Sequence, residues 1–482
     1  MRKYQIVLLI LGSLCLGLAA LAGLTAMVSE FVYDDHVAES FLITTFVAGF
    51  LGGVLFLFGQ DAQPEIDYRG AVALTAGAWI GLPLLAAIPF TSEAVGLSWT
   101  NAVFETYSGV TTTGSTVMTG LDVTAPSILL WRALLQWVGG IGIIGLSIAI
   151  LPFLRVGGMQ LFQMESSTQS KDRVVARPSH LAGLIAGIYA GLTALCFAGY
   201  ALTGLSGFEA ITHAMTTVST GGYSTHDASM GGFSAGAQWV AILFMLAGAL
   251  PFLAYVRFFS RSDGRRRGAY GEIVLLLALV AIFTLLLVIA QHNLHSQPFE
   301  QLRLALFTTV SIITTTGYAA GDYQLWGPFA MATVFILTFL GGCAGSTAGG
   351  FKTFRLQIAL KAVRRALNQA SLPHSLVPER HGGQPLSDAD VASVALFGGL
   401  YVGTFAVGAI LLAGMGLDFE TSITASATAI ANVGPGLGAM IGPAGTFQQL
   451  PDSAKWALDI AMIAGRLEVV TLLVVLTPGF WR

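Results

Sequence analysis

Four short stretches of the chain place hydroxyl or amide side chains within two residues before a glycine: Thr111-Thr112-Thr113-Gly114, Ser219-Thr220-Gly221-Gly222, Thr314-Thr315-Thr316-Gly317 and Ala431-Asn432-Val433-Gly434. The chemistry open to them is the replacement of water around a dehydrated monovalent cation. Carbonyls of a backbone held extended by glycine supply the oxygens, and threonine hydroxyls add a further ring. The residues expected to do this are Thr112, Thr113 and Gly114; Thr220, Gly221 and Gly222; Thr315, Thr316 and Gly317; and Asn432, Val433 and Gly434. The final glycines are 108, 95 and 117 residues apart, the size of a structural unit, so four similar units are expected around one centre. One Thr-Thr-Gly alone would be an ordinary turn. Four of them, each between a semi-apolar stretch and a long apolar run, point to a potassium selectivity filter.

The elements that must position these turns follow from composition. With 482 residues, 54% of them hydrophobic and 10% charged, the chain falls far below the roughly 25% charged content of a soluble domain. It reads as an integral membrane protein. Membrane spans are predicted near 4–29, 38–60, 70–90, 126–154, 181–203, 237–259, 272–291, 328–342 with a continuation after 352, 390–414 and 455–477. Stretches near 99–112, 207–220, 299–315 and 419–432 are too short or too polar to cross, and each ends in one of the four glycine turns. Irregular backbone at membrane depth is tolerated only under protein or water, so these are read as re-entrant helices. The expected fold is an all-α integral membrane protein: four pseudo-repeated units of helix, re-entrant pore helix, filter and helix around one central pore, plus two N-terminal transmembrane helices. The segments are 1–66 for the N-terminal pair, 67–177 for pore repeat 1, 178–267 for repeat 2, 268–386 for repeat 3 and 387–482 for repeat 4.

Nineteen of the 23 basic residues fall on one side of this arrangement, which places both termini in the cytoplasm and lets the filter stretches enter from outside. Re-entrant helix C-termini then point at the membrane centre, where their dipoles favour a cation. Gly140, Gly248, Gly342 and Gly465 recur 26, 26, 25 and 31 residues beyond the filter glycines and suggest a small-residue constriction below the filter. Two departures interrupt that layer. The third unit carries ten residues rich in glycine, 341–350, that should break a helix, and Gly345, Ser346, Thr347, Ala348 and Gly349 are assigned as a gate. The fourth carries Arg466, a charge too costly to face lipid, which is placed in the ion path, with a structural ion pair to Asp459 on the same helix face as the alternative.

Other patterns lead nowhere. Gly140-Ile141-Gly142-Ile143-Ile144-Gly145 spells a dinucleotide fingerprint but sits in a membrane helix, and Phe351 separates Gly350 from Lys352 in what superficially resembles a phosphate loop. His292 and His295 lack a third ligand, His213 is read as a packing residue, and no catalytic constellation or thiolate metal site emerges, so an enzyme is not expected. A cation-coupled symporter, using sodium or protons, is the alternative to a channel-like path; that class needs intramembrane acids, which are sparse here.

The runs Thr-Thr-Thr-Gly-Ser-Thr at 111–116, Ser-Thr-Gly-Gly-Tyr-Ser at 219–224, Thr-Thr-Thr-Gly-Tyr at 314–318 and Asn-Val-Gly-Pro-Gly at 432–436, with Trp137-Val-Gly-Gly-Ile-Gly and the loop 341–350, resemble the TrkH-type membrane subunits of bacterial Trk potassium-uptake systems. These belong to a wider group of Trk, Ktr and plant HKT transporters. The resemblance covers essentially the whole chain. It implies potassium uptake across a bacterial inner membrane, a homodimer in the bilayer, and gating by a cytosolic TrkA-type ring. It also implies potassium bound at the filter, nucleotide on the partner and no cofactor in this chain; no nucleic-acid partner is expected. The family's filter glycines fall on Gly114, Gly222, Gly317 and Gly434, its pore arginine on Arg466 and its gating loop on 341–350, and the four glycines favour potassium over sodium.

Overall fold

In a transmembrane helix pair, small residues belong on the inner seam and large apolar ones outside, because lipid is as apolar as leucine and backbones gain by close approach. The first two helices, Gln5–Val28 and Ala38–Gly59, follow this rule. Gly12, Ala19, Ala22 and Gly52 lie between them, while Phe46, Phe50, Leu57 and Phe58 face outward. A Cβ on Gly12 would lie 2.5 Å from Phe56 N and 2.8 Å from the Gly52 carbonyl. The structure, a computed structural model, describes residues 4–62, 66–149, 178–259, 267–291, 297–371, 379–381 and 384–480. Residues 150–177 and 260–266, with Arg155, Lys171, Arg173, Arg177, Arg261, Arg265 and Arg266, lie outside the described residues, as do His292 and His295.

The chain is an all-helical, multi-pass membrane protein. Among the described residues seven helices are long and apolar enough to cross a bilayer: the spans Gln5–Tyr33, Ala38–Gly59, Tyr68–Thr91, Pro126–Gly145, His180–Leu202, Tyr270–Ala290 and Asp388–Gly414. The other three expected spans are all broken. Ala235–Ala249 and Phe252–Phe258 meet at 89°. Pro328–Thr338 gives way to the loop 341–350 before Thr353–Ser371 resumes. Asp452–Arg466 stops at Leu467 before Val470–Leu476. The second was foreseen from its glycines; the first and third correct the expectation of continuous helices. Pro251 explains the first, since the residue before a proline is pushed out of the helical region and Leu250 is extended, with ψ 156°. In the third, Glu468 and Val469 have φ of 60° and 32°, left-handed values that a β-branched residue adopts only under constraint.

Four shorter helices, Trp99–Val110, Gly207–Val218, Pro298–Ile313 and Phe419–Ala431, match the stretches expected to dip in and return. Three have a side-chain N-cap: Ser98 accepts from Asn101 N, Ser206 and Glu209 form a capping box, and Asp418 accepts from Thr421 N. The fourth starts on Pro298, which sacrifices no helical hydrogen bond at that position. Their buried faces mix alanine with threonine and serine, whose hydroxyls bond back to the helix, as Thr106 Oγ1 does to Ala102 O at 2.7 Å.

Overpacking a seam of this kind costs about 1–3 kcal/mol. Gly12→Val is therefore expected to lower the unfolding temperature of the purified protein in detergent, and an unchanged transition would show that the N-terminal pair tolerates separation.

Candidate functional site

All four short helices end in the same turn. Two residues before each final glycine the backbone is left-handed: φ is 52° at Thr112, 52° at Thr220, 57° at Thr315 and 56° at Asn432. The next N–H reaches back across the helix end, from Thr113 to Ser108 O (2.9 Å), Gly221 to Thr216 O (2.8 Å), Thr316 to Ser311 O (2.8 Å) and Val433 to Thr428 O (3.1 Å). This is the Schellman closure, normally built on glycine. Threonine in that position costs roughly 1–2 kcal/mol of backbone strain, and three of the four turns carry it. The following glycines, with φ of 86°, 79°, 79° and 111°, are left-handed in turn.

The four turns close on one another in sequence order. A Cβ added at Gly114 would run into the Gly221 carbonyl oxygen, one at Gly222 into Thr316 O, and one at Gly317 into Val433 O; at Gly434 it would lie 2.9 Å from Thr113 O. Each glycine is thus seated against the carbonyl of the residue preceding the next glycine, and the fourth returns to the first. All twelve residues expected at the filter are brought to this ring, and apart from Gly114, Gly222 and Gly317 they are buried. One carbonyl is differently engaged: Gly221 O accepts from Gln136 Nε2 at 2.6 Å, while Gln136 Oε1 accepts from Tyr223 N at 3.0 Å. Neighbouring turns are also tied by side chains. Ser115 Oγ donates to Gly434 O (2.8 Å), Asn432 Nδ2 donates to Thr113 Oγ1 (3.0 Å), Tyr223 OH donates to Glu105 O (2.6 Å), and Tyr318 OH lies 2.5 Å from Thr216 Oγ1.

The loop 341–350 lies against this ring. Thr347 Oγ1 donates to Gly248 O (2.9 Å) and Val218 O (3.2 Å), and Thr220 Oγ1 donates to Thr347 Oγ1 (3.2 Å). Gly349 N donates to Thr315 Oγ1 at 2.7 Å, and a Cβ on Gly349 would sit 3.1 Å from that of Asn432. The loop therefore contacts three of the four left-handed residues. Gly345 O accepts from Phe252 N (3.0 Å), Ser346 Oγ donates to Cys343 O (2.7 Å), and Ala348 O accepts from Lys352 Nζ. Glu272 accepts from Ala344 N at 2.9 Å.

Arg466 does not pair with Asp459. Its Nη1 donates to Thr347 O at 3.0 Å, so Arg466 and the glycine loop meet. Glu468 instead binds Arg355 at 2.6 Å, with the Arg355 guanidinium 3.8 Å from the Phe397 ring centre. Neither Asp459 carboxylate oxygen has a hydrogen-bond partner among the described residues, and the side chain is buried.

The recurring glycines beyond each turn are packing positions, and their contacts differ from unit to unit. Gly139, Gly248 and Gly465 lie against the carbonyls of Val110, Val218 and Ile430, at the ends of the first, second and fourth short helices. In the first unit this contact belongs to Gly139 and not Gly140, which meets Ser219 and Tyr189; in the third, Gly342 meets Ala348 and Ala249. His213 is buried with ring nitrogens 2.8 Å from Glu209 O and 3.0 Å from Ser224 Oγ, a packing role. Sequence reasoning missed Gln136, the two tyrosines after the second and third glycines, and a buried pair, Glu105 and Arg132. Only Tyr223 and Tyr318 had a signal, their shared place one residue after the glycine.

Near the N-terminus of Gly207–Val218, His226 bridges two carboxylates: Nδ1 to Asp122 and Nε2 to Glu209, the latter at 3.0 Å. Burial would lower the His226 pKa, but its bonds to Asp122 and Glu209 and their charge reverse this and hold it above the usual histidine value. Asp122 is held below the usual carboxylate range, mainly by the hydrogen bond from His226.

A family model described as TrkH, cation transport protein, matches residues 38–479. The Trk system potassium uptake protein TrkI of Halomonas elongata is 46% identical over 414 residues, covering 85% of this chain and 83% of that protein. The Trk system potassium uptake protein TrkH of Vibrio parahaemolyticus is 35% identical over 488 residues, covering 100% of both. The crystal structure of the potassium transporter TrkH from Vibrio parahaemolyticus aligns with a TM-score of 0.88 at 32% identity, over 100% of each chain.

A raised histidine pKa contributes stability that is complete below the unfolded value, about 6.5, and lost as pH rises through the folded one. The Asp122 contribution is lost only in acid, as pH falls through its lowered value. The unfolding temperature should therefore contain a component that declines as pH rises above about 6.5 and is absent in His226→Gln. Identical profiles for the two proteins would show that this bridge contributes nothing.

Proposed function

This chain belongs to the TrkH family of cation transport proteins, transporters and not enzymes, and we propose that it takes up potassium through the ring of four turns. The observation that carries this reading is the closed circuit of glycines and carbonyls from Gly114 through Gly222 and Gly317 to Gly434. A potassium ion sheds water only where oxygens replace it at suitable spacing. Left-handed backbone at the residue two before each glycine and at the glycine itself, with the residue between them outside that region, turns successive carbonyls toward one side. The C-termini of the four short helices add partial negative charge. The membrane potential contributes about 2.3 kcal/mol per charge per 100 mV, so accumulation needs no further chemistry in this chain. The four units, 67–177, 178–267, 268–386 and 387–482, surround this path, and 1–66 packs outside it.

In this reading Gly345, Ser346, Thr347, Ala348 and Gly349 obstruct the path below the filter, with Arg466 fixing the obstruction through Thr347 O. The guanidinium also opposes a resident cation. Opening requires the bonds of Thr347 to Val218, Gly248 and Arg466 to break together, and Arg355–Glu468 links the helix that follows the loop to the break that follows Arg466. A cytosolic TrkA-type nucleotide-binding ring, acting on a homodimer in the bacterial inner membrane with both chain termini cytoplasmic, would supply the force. A coupled symport mechanism has one observation in its favour: Asp459, a buried carboxyl with no partner among the described residues.

Flux into proteoliposomes under an imposed potential tests this reading. Gly222→Ala, whose added methyl would overlap Thr316 O, should reduce potassium flux by roughly tenfold or more, the equivalent of overpacking by 1–3 kcal/mol. Flux at the wild-type level would remove the turns from the path. Arg466→Ala and removal of 344–349 should each raise flux without the cytosolic partner, and unchanged basal flux would relieve both of the gating role. Flux that follows the potassium gradient at every pH and sodium concentration, in wild type and Asp459→Asn alike, is expected; dependence on either that Asp459→Asn abolishes would favour symport.

A further inference from the structure

Glu105 and Arg132 are among the most deeply buried residues of the chain, at 0% and 1% exposure, and they pair at 2.8 Å. Burying two opposite charges is several kcal/mol unfavourable per ion before pairing, and an apolar pair of similar volume is commonly as stable or more so. Stability therefore does not account for the pair, and its contacts indicate what does. Each partner reaches a segment that has just left a filter glycine. Glu105 accepts from Thr116 Oγ1 at 2.9 and 3.0 Å and from Val117 N at 2.9 Å, two and three residues beyond Gly114. Arg132 donates through Nη1 to Ser224 O at 2.9 Å, two residues beyond Gly222, and through Nη2 to Thr116 Oγ1 at 3.2 Å. Its guanidinium lies 4.0 Å from the centre of the Tyr223 ring, whose hydroxyl donates to Glu105 O at 2.6 Å.

The fork geometry of arginine lets one side chain hold Glu105 and one acceptor beyond each of two turns at once, which a point-charge lysine does not do. The pair also belongs to one unit only. Nine residues before the other filter glycines stand His213, Thr308 and Ala425, and eighteen beyond them stand Val240, Phe335 and Asp452. The ring is thus braced ionically between its first and second turns and nowhere else among the positions that correspond.

Resting on the filter reading above, we propose that Glu105 and Arg132 are positioning residues that fix the separation of the first two turns and thereby set potassium over sodium discrimination. Neither touches the ion; they act through Thr116, Tyr223 and Ser224. Selectivity that depends on the spacing of carbonyls requires such a constraint on their supports.

The test is the ratio of potassium to sodium flux in proteoliposomes of the full chain under one imposed potential. Arg132→Lys keeps the charge and loses the fork; it should still pass potassium while the ratio falls roughly tenfold, the loss expected for charge-assisted hydrogen bonds. Tyr223→Phe and Thr116→Val, which leave the ion pair intact and each remove one hydroxyl, should lower it by a smaller factor. A lower unfolding temperature with the wild-type ratio in Arg132→Lys would mean a structural role alone and overturn the proposal. Should Arg132→Lys fail to fold, the two hydroxyl variants decide in the same way: wild-type ratios in both overturn it. A wild-type protein that passes both ions equally would instead sink the filter reading, before any variant is compared.

Discussion

Four positions that cannot carry a side chain hold the centre of this molecule together. At Gly114, Gly222 and Gly317 an added carbon would coincide with a carbonyl of the next turn, and at Gly434 it would crowd one. Because each glycine is the seat for its neighbour, no turn can relax alone. The strain of left-handed Thr112, Thr220 and Thr315 is sustained by the same closure, since each is fixed by a helix end on one side and a seated glycine on the other. Side chains around the ring tie its turns together: tyrosines reaching from one turn to the preceding helix, Gln136 held between Gly221 and Tyr223, and the Glu105–Arg132 pair.

Three of the helices that return from the turns are broken, each by a different device: Pro251, the glycine run 341–350, and left-handed Glu468 and Val469. The breaks free backbone groups that would be costly in hydrocarbon, and here they find one another. Ala249 O accepts from Cys343 N, Gly248 O from Thr347 N, and Thr347 O from Arg466. In the proposed gating role, a loop fastened by a handful of hydrogen bonds and one charge would act as a two-state element, because those contacts share the same few residues and would be lost together.

Much of the architecture was legible in the sequence because membrane helices advertise themselves. Apolar length located seven long spans, and semi-apolar stretches too short or too polar to cross, each ending in a filter turn, located the four short helices to within a residue or two. The proline at 251 carried a readable signal for a break that apolar continuity obscured. Leu467-Glu468-Val469 carried none, since those residues suit a helix and are held out of it by tertiary contact. The ring order was not legible either, nor that Arg466 meets a carbonyl of the loop rather than the acid one face up its own helix. Spacing shows which residues share a helix face; it does not show which unit stands beside which. Glu105 and Arg132 are separated by a turn and a loop, and two charges in semi-apolar segments read as isolated until the fold brings them together.

The central claim, that the four turns form one cation site, is tested most directly by locating the ion. Crystals of the protein grown with rubidium or thallium in place of potassium should show anomalous density between Gly114, Gly222, Gly317 and Gly434, within coordinating distance of backbone carbonyls from all four turns. Density confined to another place, such as the buried Asp459 carboxyl, with none inside the ring, would contradict it.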